Sequence, residues 1–154
     1  MTANSTSMIR TVLVGELERL RDQVREACQP LSDQQFWKKP IDPGNSVGHL
    51  VLHLTGNLNH FIGAQLGKTS YVRDREREFT ETQLPPKAQV LEKLDQAATM
   101  FRQVVGNLTE AQLAEPHPEK RFGSVLNALV QIITHFAMHR GQMSYITRLV
   151  SRNA

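Results

Sequence analysis

The chain has 154 residues, 40% of them hydrophobic and 21% charged, which suits one domain with a real core. Its 18 basic and 15 acidic residues leave a formal charge of +3, too mild for the one-sign patch that binds nucleic acid. No apolar run reaches the roughly eighteen residues of a membrane span, the opening "MTANSTSMIR" lacks an apolar signal core, and the single cysteine, Cys28, excludes an internal disulfide and a cysteine-based zinc cluster, so a cytoplasmic protein is expected.

Helical periodicity begins at about residue 8 and runs to 28, through Ile9, Val12, Leu13, Leu17, Leu20 and Val24. Thr6 or Ser7 is the expected cap. "QPLSDQQFWKKPIDPGNS" breaks the pattern with three prolines and a glycine. Ser32 is placed to cap a short turn there, with Phe36 and Trp37 as buried anchors. A second helix is expected over about 46–67, capped by Asn45 or Ser46 and stopped by Gly67.

Residues 68–83 form a polar connection, long enough to permit a crossover. Its run "RDREREF" at 73–79 alternates in charge and reads as a solvated, salt-bridged surface. The third helix starts with Pro85 or Pro86 in its first turn and has Gly106 past its end. "LTEAQL" at 108–113 resembles "LSDQQF" at 31–36; both read as short capped turns. A fourth helix, capped by Ser124, is expected over about 124–150. Four long helices without strand alternation give an all-α four-helix bundle, one domain over 1–154.

The last helix carries the chemistry. One stripe reads Val125, Ala128, Ile132, His135, His139, Gln142, Ile146, Leu149. His135 and His139 are therefore one turn apart, on a face that is otherwise core. Two imidazoles at that spacing reach a single ion. Two readings stand: a pair of metal ligands, or buried neutral histidines satisfied by hydrogen bonds. A third ligand from another helix decides between them.

The second helix offers His49, His53 and His60. Placed at 100° steps, its apolar centroid falls near Val47, Leu54 and Leu58, with His53 about 130° away, His60 about 150° and His49 about 170°. His53 is the best placed; His49 and His60 are expected to be exposed. His117 lies in a loop between two prolines and is not expected to be a ligand. The proposal from the residues is a site of His53, His135 and His139. Imidazole suits zinc, nickel, copper and iron, and three protein ligands leave room for water or substrate.

The blocks "LSDQQFWKKPIDPGNSVGHLVLHLTGNLNHFI" (31–62) and "HFAMHRGQMSYITRL" (135–149) resemble the DinB/YfiT-like superfamily of metal-binding four-helix bundles. The resemblance spans nearly the whole chain, and the second block is its more specific part. That family's triad, one histidine on the second helix and an HxxxH pair on the last, falls on His53, His135 and His139. It further implies a nickel or zinc ion, a homodimer, and a thiol-dependent transfer to an electrophilic substrate, as in detoxification or stress response. A non-catalytic metal-binding bundle is the alternative, and a bundle with no metal a third.

Other residues near the site have functional and structural readings. Arg140 could pair with an anionic substrate or form an interhelical or interface salt bridge. Gln142 and Asn57 could orient a ligand or bound water, or make polar contacts within the bundle. Gly141 is expected to allow close helix approach. Trp37 and Phe36 read as core or pocket wall, and Tyr145 as a surface aromatic or, second, a pocket donor.

Overall fold

A computed structural model describes residues 3–152; the expected domain ends, 1–2 and 153–154, lie outside the described residues. Seven α-helices follow in order: α1 Ala3–Cys28, α2 Asp33–Trp37, α3 Val47–Leu58, α4 Arg77–Thr80, α5 Lys87–Gly106, α6 Glu110–Ala114 and α7 Val125–Ser151. The four long ones form the bundle. No strand occurs among the described residues, only one isolated bridge between Pro116 and Ser124.

The caps follow the side-chain chemistry read from the sequence. Ser46 Oγ accepts from the His49 N–H and Ser124 Oγ from the Asn127 N–H. The two similar turns are both capping boxes, Ser32 with Gln35 and Thr109 with Gln112. Boundaries differ in three places. Thr6 and Ser7 lie inside α1, because the helix already runs from Ala3. Pro86 is the N-cap of α5, and Gly106 its last helical residue. The second long helix does not continue regularly to Gly67: it widens into π geometry over Asn59–Ala64, with Gln65 N–H donating to His60 O.

α1 packs against α5 and α7, and α3 packs against the same two helices. The links α1–α3 and α5–α7 therefore join diagonal members of the bundle. The long connection, expected to permit the crossover, joins the neighbours α3 and α5 instead. This order sets α3 directly beside α7, which is what brings His53 to the HxxxH pair.

α3 is covered nearly all round. Eleven of its residues are buried, His49, His53, Thr55 and Asn57 among them. It meets α5, α4, α7 and α2, so its polar residues are interior groups that need partners. The hydrophobic core joins Leu17, Val24, Phe36, Leu50, Leu54, Phe101, Leu129 and Phe136, each at most 1% exposed. Trp37 also sits in this core, and its Nε1–H donates to Pro85 O at 2.9 Å, tying α2 to the end of the connection.

Candidate metal centre

His53 on α3 and His135 and His139 on α7 point their Nε2 atoms at one spot. His53 Nε2 lies 3.2 Å from His135 Nε2, and His139 Nε2 lies 3.0 Å from it. The three ligand atoms fall within 4.8 Å of one another. Nitrogens that share one ion at bond lengths of about 2.1 Å in tetrahedral geometry stand about 3.4 Å apart.

The far side of two rings fixes which nitrogen carries the proton. Glu78 Oε2 accepts from His53 Nδ1–H at 2.8 Å. Gln142 Oε1 accepts from His139 Nδ1–H at 2.7 Å. Both Nε2 atoms are therefore bare lone pairs. His135 has one proton when neutral. On Nε2 it can serve only one of the two lone pairs facing it; on Nδ1 it leaves three lone pairs converging. His135 Nδ1 has no hydrogen-bond partner.

Protonation of His135 itself offers no escape, because its pKa is pushed down to about 4, first by burial, then by His139 and His53 and the charges of Arg73 and Arg121. Burial also lowers the His139 pKa, against the opposing bond to Gln142. A cation at the shared spot satisfies all three lone pairs at once. The donor set therefore fits a divalent metal, and a neutral triple-imidazole set is of the kind zinc and nickel accept.

The support for His53 comes from the connection, where the sequence pointed to solvated surface. Glu78 is buried and Arg73 is largely so, its side chain 9% exposed. Arg73 Nε and Nη2 donate to the two Glu78 oxygens at 2.7 and 2.9 Å. Burial alone would raise the Glu78 pKa; the bonds from His53 and Arg73 and the charge of Arg73 more than offset it, and the carboxyl is held below its usual range. The Phe79 ring lies against His53, centroids 4.8 Å apart. Neither Glu78 nor Arg73 stood out in the sequence. The available signal was a single Phe closing a charged run in a connection too long for a plain link.

The other expectations resolve individually. His49 is buried rather than exposed: its Nε2–H donates to Glu81 O at 3.2 Å and its Nδ1 accepts from Ser46 O–H at 2.6 Å. His60 is half-buried, beside Gln65. The projection failed for His49 because it assumes one wet face and α3 is covered nearly all round, and for His60 because regular helical steps do not continue into the π segment. His117 is no ligand, but it is buried: Nε2–H donates to Phe61 O at 3.1 Å, a carbonyl in the π segment.

Arg140 turns away from the triad and donates to Gln23 Oε1 on α1 at 2.8 Å, an interhelical bond to a neutral partner rather than a salt bridge. Gly141 does not mediate close approach, since a Cβ there meets nothing within 4 Å. Asn57 is buried on the wall of a cleft beside the triad. Tyr145 is exposed, as expected.

That cleft holds about 260 Å³ and is lined by His53, Asn57, Arg73, Arg121, Phe122 and His135, among others. A larger one of about 650 Å³ lies behind Glu78, between α3, α5 and the connection, and carries none of the three histidines. Size does not mark the chemistry here; the converging lone pairs do.

A family model for mycothiol-S-transferase matches residues 12–150. The chain belongs to the mycothiol-S-transferase family. Membership bears out the resemblance to the DinB/YfiT-like superfamily. No curated protein matches the chain. Among solved structures, a conserved protein from Enterococcus faecalis is similar at a TM-score of 0.75 and 18% identity, covering 91% of this chain and 95% of that one. YfiT from Bacillus subtilis, named as a probable metal-dependent hydrolase with an unusual four-helix bundle topology, is similar at 0.72 and 19%, covering 96% and 89%. At such identities the likeness shows the fold. Placed on that fold, this mycothiol-S-transferase family member keeps its three histidines at the α3–α7 seam.

Proposed function

We propose that the protein is a metal-dependent enzyme that transfers a low-molecular-weight thiol to an electrophilic substrate, with His53, His135 and His139 holding a nickel or zinc ion. The observation that carries this reading is the convergence of three Nε2 atoms, with two of the three histidines, His53 and His135, lining an open cleft. A metal held only for structure is a closed site; a catalytic one keeps a face for substrate. The family match supports the same direction.

Held by His53, His135 and His139, the ion would supply a Lewis acid able to lower the pKa of a thiol. The chain supplies orientation. Glu78 and Gln142 hold two imidazoles in the ligating tautomer, and Arg73 fixes Glu78. In the transfer the sulfur–carbon bond forms as the bond to the leaving group breaks, that group departs with the electron pair, and the thiol proton passes to solvent. The protein is further read as a cytoplasmic homodimer; sedimentation of purified protein as a monomer would remove the dimer from the proposal.

The test is the metal content of untagged protein purified from its host, beside His139→Ala, followed by a panel of thiols with one electrophilic substrate. Stoichiometric metal in the wild type, its loss in the variant and metal-dependent turnover are expected. Wild type without metal, or a variant that retains it, refutes the triad. Metal without turnover across the panel leaves the non-catalytic bundle as the better reading.

A further inference from the structure

Three arginines share the cleft wall with His53 and His135: Arg73, Arg75 and Arg121. Their positions differ in one respect. Arg73 is engaged on both sides of the Glu78 carboxylate. Arg75 makes no ion pair among the described residues, and its guanidinium lies over the Phe79 ring, 5.6 Å from the centroid. Arg121 lies over Phe122 at 4.7 Å and Phe61 at 5.2 Å. Its contact with Glu119 is long, 3.9 Å, between exposed side chains, and such pairs hold little.

Stacking on an aromatic face orients a guanidinium without using its N–H donors. The edge that remains is the planar fork that takes a carboxylate in two parallel bonds. Among the described residues no Asp or Glu lines this cleft, so Arg75, without an ion pair, and Arg121, with only its long contact to Glu119, have no counter-charge at the wall itself. A solvated arginine pair on a convex surface needs no explanation. This pair shares one concavity with His53 and His135, and a ligand reaching the triad passes through that concavity.

We propose that the cleft takes a substrate bearing a carboxylate, held by Arg75 and Arg121 while its reacting end meets the triad. The inference rests on the functional reading above for what happens at the triad, but the carboxylate seat itself needs no metal. The carboxylate belongs either to the thiol or to the electrophile, and the chemistry of the seat is the same for both.

Calorimetric titration separates these possibilities. The thiol arm uses S-methylglutathione and its diethyl ester. The electrophile arm uses 4-chloro-3-nitrobenzoate and its methyl ester. Each is titrated into protein stripped with phenanthroline and dialysed, and into zinc-loaded protein. In at least one arm the acid is expected to bind at least about tenfold more tightly than its ester, with and without zinc, and to weaken as salt rises. That arm identifies which reactant carries the carboxylate.

Arg75→Gln with Arg121→Gln should abolish the preference, and the two Lys substitutions should keep part of it. Both positions are exposed, and helix content by circular dichroism verifies the fold. Equal binding of acid and ester in both arms overturns the proposal. So does a preference that needs zinc and survives the Gln pair, because the carboxylate then sits on the metal. If the protein takes up no zinc on loading yet still prefers the acid, this inference stands, and the failed zinc uptake refutes the triad reading alone.

Discussion

Glu78 Oε2 lies 2.8 Å from His53 Nδ1, joining two residues 25 positions apart in the chain. One is on α3 and the other on α4, within the connection. The bond sets the direction of the His53 lone pair, and the paired contact from Arg73 sets the direction of Glu78.

Removing that brace should weaken metal binding without touching a ligand. Outer partners of ligating histidines typically contribute 10–100-fold in affinity, so Glu78→Ala should lose about that much. It also strands Arg73, whose side chain is only 9% exposed, and breaking a buried pair costs roughly 3–5 kcal/mol. Glu78→Gln keeps an acceptor for His53 and should fall between. Competition with a chromophoric chelator measures the first effect and urea unfolding the second. Unchanged affinity in the Ala variant would show that His53 needs no support from the connection.

The contrast between His135 and Glu78 explains what the sequence made legible. His135 and His139 stand out because a helix repeats, and two polar residues one turn apart on an apolar stripe break that repeat. His53 follows as the best third partner on the second helix. Glu78 and Arg73 belong to no repeat; their burial depends on how the connection folds back over α3. The same limit applies to His49. It lies opposite the apolar centroid of its own helix, yet it is buried, because α2, α4, α5 and α7 all meet α3. One helix's pattern does not count its neighbours. The bundle was legible from four periodic segments, whereas its diagonal links and the π segment carry no local signature.

Gly56 sets two effects against each other. In a helix interior Gly→Ala ordinarily gains about 1 kcal/mol. At Gly56 the new Cβ would collide with Glu78 Oε1 and crowd its carboxyl carbon at 2.8 Å. Glu78 cannot yield cheaply, since Arg73 and His53 grip both its oxygens. Overpacking of this kind costs about 1–3 kcal/mol, so steric cost wins. Gly56→Ala should lower the urea midpoint and also reduce metal affinity. A more stable variant with full affinity would show that Glu78 moves freely.

Acid should destabilise the metal-free protein well before its carboxylates titrate. Burial is the first cause of the lowered pKa of His49, His60, His117, His135 and His139. In the unfolded chain these groups take up protons near the ordinary imidazole value of 6.5, while folded His135 stays neutral to about 4. The unfolded state therefore binds more protons throughout that window, and stability falls as pH falls from about 6.5 towards 4. Thermal unfolding after phenanthroline treatment should show a midpoint that drops between pH 7.5 and pH 5, with zinc raising it at the higher pH. A flat profile would mean that the histidines are not held neutral.

Gly141 offers the opposite outcome from Gly56 under the same substitution. It lies within α7 between Arg140 and Gln142, two residues past a proposed ligand. A Cβ there meets nothing within 4 Å, so only helix propensity and the unfolded chain's lost freedom remain. Gly141→Ala should stabilise the protein by roughly 1 kcal/mol and leave zinc affinity unchanged, because His139 keeps its bond to Gln142. Urea unfolding and chelator competition check both. A loss of stability would show that another surface packs against this face of α7, as a second copy of the chain would, and comparison at high and low protein concentration would then identify it.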